Sequence, residues 1–129
     1  MHTIEKIFEE SKTIAVVGLS SNPSRPSYMV ARYLQSQGYK IIPVNPNEKE
    51  ILGERSYADL ISVPDTIDIV DIFRKSEEVP AIVEQAIKIK AKVVWMQEGI
   101  VNEEAAKKAS EMGLTVIMDK CMYKEHSKL

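Results

Sequence analysis

The stretch Gly18-Leu19-Ser20-Ser21-Asn22-Pro23-Ser24-Arg25-Pro26-Ser27 gathers groups that hold anions. Gly18 permits a sharp turn. The serine and asparagine side chains donate hydrogen bonds, and Arg25 adds a planar full charge suited to phosphate oxygens. A helix opening at Pro26 would turn its unpaired N–H groups and positive dipole end toward the same place. Gly18, Ser20, Ser21, Asn22, Arg25 and Ser27 are therefore candidates for a diphosphate cradle. A polar strand-to-helix loop rich in turn residues would carry the same types. Two other phosphate loops are excluded. G-x-G-x-x-G keeps only its first glycine here, and no Gly-Lys-Ser/Thr follows.

Four further segments carry reactive or recognising groups. Pro43-Val44-Asn45-Pro46 has an amide where a nicotinamide enzyme places a carboxylate for the ribose. Its prolines make a stiff wall for an adenosine group, or simply close a strand. Phe73-Arg74-Lys75-Ser76 sets an aromatic ring beside cations, which suits stacking on a base and pairing with a phosphate. In Gln97-Glu98-Gly99-Ile100, Gly99 allows close approach of a ligand to the backbone, and Glu98 is either a general base or a solvated carboxylate. Cys121, with Lys120 and Lys124 nearby to lower its pKa, is either a reactive thiol or a small packed hydrophobe. His126 lies too far along from Cys121 to share one helix face with it. His2 and His126 sit near opposite ends of the chain, so a histidine metal centre is not expected. No Ser/His/Asp or Cys/His arrangement is legible.

These segments need a scaffold that brings them to one rim, and the hydrophobic periods supply it. Runs rich in Ile and Val at 14–17, 41–44, 67–73, 93–96 and 115–118 read as strands buried on both faces. Between them, Val79, Ile82, Val83, Ala86 and Ile87 form one helical stripe, and Ala105, Ala109 and Met112 a thinner one after an Asn102 N-cap. Met29, Val30, Tyr33 and Leu34 face inward from a helix beginning near Pro26. Ile4, Ile7 and Phe8 mark a short leading helix. Gly38 and Gly113 stop helices just before strands. Residues 45–63 are the least regular, with a turn at Gly53 and a short helix expected around Tyr57–Ile61.

Alternation of strand and helix implies right-handed crossovers and a parallel sheet. The expected fold is α/β, a three-layer Rossmann-like doubly wound sheet of five strands in the order 3-2-1-4-5. Its ligand would lie outside the carboxyl ends, at the switch point between the first strand and the fourth.

Composition narrows the classes. The 129 residues hold 17 Lys+Arg against 19 Asp+Glu, a net charge of −2, with no block of like charge. A nucleic-acid binder would show a basic stripe. One cysteine excludes an internal disulfide and points to a reducing compartment. The opening MHTIEKIFEES carries three glutamates and does not read as a signal peptide, and no run approaches a membrane span. A cytoplasmic protein is expected. Tyr28, Tyr33, Tyr39 and Trp95 are too few to argue for a partner surface, so protein partners and oligomeric state stay open.

The run Val16–Ser27 resembles the first loop of the small CoA-binding proteins of bacteria and archaea. These are single-domain Rossmann proteins similar to the nucleotide-binding N-terminal domain of the succinyl-CoA synthetase α subunit. Gly38-Tyr39, Pro43-Val44-Asn45-Pro46, Val70-Asp71-Ile72-Phe73-Arg74, Trp95-Met96-Gln97-Glu98-Gly99-Ile100, and Asp119-Lys120-Cys121-Met122 with Glu125-His126 continue the resemblance in order along the chain. It implies coenzyme A as the ligand. Gly18, Ser20, Ser21, Asn22, Arg25 and Ser27 would surround the phosphates. Asn45, Pro46, Phe73 and Arg74 would shape the adenosine and 3′-phosphate end, and Gln97, Glu98 and Gly99 the pantetheine path. Cys121, by its placement, is a candidate contact for the thiol.

The synthetase α subunit also has a second domain bearing a phosphohistidine. Nothing in residues 1–129 supplies one, since His126 belongs to a different motif. The expectation is one domain that binds CoA or acyl-CoA as a module, carrier or sensor without its own catalysis. The competing expectation is an NAD(P)- or other nucleotide-dependent enzyme on the same sheet.

Overall fold

A computed structural model describes residues 3–129, so His2 lies outside the described residues. Helix α1 (Ile4–Glu10) opens on Thr3, whose hydroxyl accepts the Lys6 N–H. Then follow β1 (Thr13–Val17), α2 (Pro26–Ser36), β2 (Lys40–Val44), the short pair β3 (Glu50–Ile51) and β4 (Glu54–Arg55), and β5 (Ile69–Ile72). A 3-10 turn over Ser76–Glu78 leads into α3 (Val79–Lys88), before β6 (Val93–Met96), α4 (Glu103–Glu111), β7 (Thr115–Ile117) and α5 (Met122–Ser127). Asn102 caps α4 as expected, its Oδ1 accepting the Ala105 N–H at 2.9 Å.

β2, β1, β5, β6 and β7 lie side by side, all parallel, in one sheet. Alternate residues of each strand feed two cores. Ala15, Val17, Ile42, Val70, Ile72 and Val94 meet α3 and α4 on one face. Ile14, Val16, Ile41, Ile69, Val93 and Trp95 meet α1, α2 and α5 on the other. Burial on both faces is why the strands read as unbroken apolar runs. Trp95 is fully enclosed, and its indole N–H donates to the Lys120 carbonyl at 2.8 Å.

The pattern 3-2-1-4-5 appears with one reassignment of segments. The third place, outside β2, is held by Tyr57, joined to Val44 by a single parallel bridge. The Asn45 N–H donates to the Tyr57 carbonyl and the Tyr57 N–H to the Pro43 carbonyl. β5, read above as the third strand, takes the fourth place beside β1, and β6 and β7 follow outward. The loop after β5 therefore stands at the switch point, and the Gln97–Gly99 turn lies one strand further out. The helix expected around Tyr57–Ile61 does not form. Asp59 instead accepts both the N–H and the hydroxyl of Ser62, which closes a turn.

One residue breaks the apolar logic. Asp71 sits in register between Val16 and Trp95, fully buried, and neither carboxyl oxygen has a hydrogen-bond partner among the described residues. Burial pushes its carboxyl well above the usual range.

Candidate functional site at the carboxyl ends of the strands

The loop after β1 is pressed against the loop after β5. Gly18 has φ 88°, and a Cβ there would lie 2.5 Å from the Phe73 carbonyl oxygen and 2.8 Å from Arg74 Cδ. Only glycine permits both the conformation and the approach. The rest of the loop is built so that acceptors are used internally and donors are left over. Ser27 Oγ accepts the Ser20 N–H, and Ser20 Oγ accepts the Asn22 N–H, each at 3.0 Å. Asn22 Oδ1 accepts from both the N–H and the hydroxyl of Ser24. A hydroxyl that accepts keeps its own proton to give, and the Asn22 amide keeps two. Arg25 caps α2 with its backbone and has no ion pair among the described residues. Ser21 differs from the others, because its hydroxyl donates to Glu48 at 2.8 Å.

On the α3 face of this loop lies a cleft of about 310 Å³, lined by Gly18, Pro46, Asp59, Leu60, Arg74 and Ile82 among others. Of the predicted residues it gathers Gly18, Pro46 and Arg74. Arg74 donates to Glu78 at 2.6 Å, and that bond holds the Glu78 carboxyl below its ordinary range. Asn45 braces the cleft instead of facing a ligand with free groups. Its Nδ2 donates to the Leu19 carbonyl and its Oδ1 accepts the Asn47 N–H, both at 2.9 Å. The Phe73 ring packs with the α2-side core and is not part of the cleft wall. Asp59 and Leu60 were missed from sequence because the irregular segment that carries them shows no period. Ile82 was visible as a stripe residue, with nothing to mark it as cleft wall.

Past β6 the turn is tied to the start of α5. Gln97, nearly buried, accepts the Met122 N–H through Oε1 at 3.2 Å, which leaves its amide protons free. The Gly99 N–H donates to Asp119 Oδ1 at 2.7 Å. Lys124 donates to both oxygens of Glu98 at 2.9 Å, and that bond holds the lysine ammonium above its ordinary range. Lys124 is thus paired with a carboxylate. Cys121 is half-buried at the head of α5, and with Glu98 it borders a second groove between α2 and α5, on the opposite face of the sheet from the first cleft. His126 takes no part with the thiol. Its Nδ1 is 2.7 Å from the Tyr33 hydroxyl, and its ring stands among Phe8, Tyr33 and Tyr39.

A depression of about 530 Å³ also exists at the amino ends of the strands, beside Ser11, Lys90 and Leu114. It lies at the edge where sheets of this type do not hold ligands. Among the described residues no cluster of three His, Cys, Asp or Glu could hold a metal, and no helix is long and apolar enough to cross a membrane.

Residues 12–127 match the family described as the CoA binding domain. The chain belongs to that family. YneT of Bacillus subtilis (strain 168) is 47% identical to this CoA-binding domain over 124 residues, covering 96% of the chain and 92% of YneT. A protein of known structure from Pyrococcus horikoshii OT3 superposes with a TM-score of 0.94 at 44% identity, over 99% of this chain and 92% of that one. The ADP-forming acetate–CoA ligase II of Archaeoglobus fulgidus is 33% identical over 73 residues, which is 55% of this chain and 11% of the ligase. The likeness to the ligase therefore concerns a small part of that enzyme.

Proposed function

We propose that this domain binds coenzyme A along the carboxyl rim of its sheet. The observation that carries the reading is the loop from Gly18 to Ser27, which satisfies its own acceptors and leaves the protons of Ser20, Ser27 and Asn22 and the charge of Arg25 for an anion. In this reading the adenosine lies in the cleft beside Pro46 and Arg74, with Phe73 contributing backbone. The diphosphate rests on the loop, and the pantetheine crosses Gln97, Glu98 and Gly99 toward Cys121. The family and the ligase relative, whose name includes CoA, support the ligand.

The domain, taken as a single unit over 1–129, serves in this reading as a cytoplasmic binding module, carrier or sensor. A nicotinamide cofactor is disfavoured by Asn45. Its amide is engaged on both sides, and it supplies no carboxylate to hold a ribose. Calorimetric titration with CoA, dephospho-CoA and NADH tests the assignment. CoA is expected to bind, dephospho-CoA more weakly and NADH not measurably. Tighter binding of NADH than of CoA would reverse the reading.

A further inference from the structure

The groove between α2 and α5 is a largely apolar concavity of about 670 Å³, and the loop chemistry above does not use it. Its wall is formed by Pro26, Met29, Val30, Tyr33 and Tyr123. Single exposed hydrophobic residues on a surface need no explanation. Here two large ones, Met29 at 59% exposure and Tyr123 at 44%, line one depression, and the Tyr123 ring packs against Tyr33, tilted by 51° with centroids 4.4 Å apart. The size falls within the range of about 300–1,000 Å³ typical of small-molecule sites.

Position decides what the groove would hold. Pro23 and Pro26 belong both to its wall and to the anion loop, while Glu98 and Cys121 border it where the proposed pantetheine path ends. The groove thus shares residues with both the anion loop and the end of the proposed path. A chain attached to the sulfur of bound CoA would therefore emerge at Cys121 into an apolar trough bordered by Arg32, Glu98 and Lys124, in which Met29 and Tyr123 are exposed and Tyr33 is half-buried. We infer that the groove receives the acyl chain of an acyl-CoA thioester, so that the physiological ligand is an acyl-CoA of medium length. This inference rests on the CoA reading and adds the ligand class to it.

The test titrates the full chain with CoA, acetyl-CoA, butanoyl-CoA and octanoyl-CoA, alongside the Met29→Asp and Tyr123→Ser variants. Complete burial of a methylene is worth roughly fourfold in affinity, and an open trough covers about half of each, so about twofold per carbon is expected. Octanoyl-CoA should then bind on the order of fifty-fold more tightly than acetyl-CoA. Met29→Asp should remove most of that gain while leaving CoA and acetyl-CoA affinity unchanged. If CoA binds but affinity is flat with chain length, the groove inference fails and the CoA reading stands. A chain-length gain that both variants preserve puts the acyl chain elsewhere and also overturns it. A flat series together with self-association that Met29→Asp abolishes assigns the groove to a second copy of the chain instead. Failure of every thioester and of CoA itself removes both readings.

Discussion

Asp71 stands between Val16 and Trp95 with no donor among the described residues for either carboxyl oxygen, so it is a cost to the fold that the sheet must carry. Because burial raises its folded pKa above the unfolded value, the unfolded chain gives up this proton first as pH rises from about 4. Stability contributed by the protonated group is full below that point and is lost as pH climbs toward the folded pKa. Asp71→Val should therefore stabilise the protein by about 1–3 kcal/mol at neutral pH, with a smaller gain near pH 4. Urea melts at both values check the size and the sign. Arg25 presents the opposite case, a charge at the mouth of the loop with no ion pair among the described residues. Its replacement by alanine should weaken CoA binding by about 1.5–3 kcal/mol with little change in the urea midpoint, as calorimetry beside a urea melt would show. Cys121 gives a third residue-scale expectation. Exposed to CoA disulfide, its thiolate would attack one sulfur, release CoA thiolate and retain the other half as a mixed disulfide. Intact mass should show an adduct that dithiothreitol removes and that Cys121→Ser lacks.

At the scale of elements, what could be read from sequence followed the burial pattern. β1, β2, β5 and β6 are buried on both faces, so their Ile and Val runs announce them. α3 and α4 show their inner stripes, and Asn102 its cap. Residues 45–63 announced little, because a β3–β4 hairpin of two-residue strands and one bridge at Tyr57 are too short to impose a period. That silence moved β5 by one place in the order and hid Asp59 and Leu60 from the cleft. Local sequence likewise marked Gly18, Ser20, Asn22, Arg25 and Ser27 as a group. It did not show that Asn45 is a brace, since its partners come from the first loop and from its own turn. Asn45→Ala should leave the Leu19 carbonyl and the Asn47 N–H without their partners, at a cost of about 1–3 kcal/mol. Because the same change uncouples the two loops, CoA affinity should fall with it. A stability loss with unchanged affinity would mean that the brace serves the fold alone.

For the whole molecule, the first cleft and the second groove lie on opposite faces of one sheet, and the carboxyl rim between them is where the anion loop sits. A ligand long enough to reach both would tie the α3 layer to the α2–α5 layer, which are otherwise joined through the strands. The net charge of −2 does not oppose this, because the field that matters is local: Arg25, Arg74 and the start of α2. Arg74 is held by Glu78, so a phosphate there must displace a carboxylate, and the 3′-phosphate should be worth less than the diphosphate on the free Arg25. A ligand that binds only the folded state adds about 2.7 kcal/mol when present at about 100 times its Kd. For a domain of this length that corresponds to a rise in Tm of roughly 10 °C. Thermal melts at matched concentration should rank CoA first and dephospho-CoA close behind, with NADH at the baseline. Arg25→Ala should cost more of the CoA shift than Arg74→Ala does. The reverse order would mean that the Glu78 pair opens readily and that the 3′-phosphate, not the diphosphate, anchors the ligand.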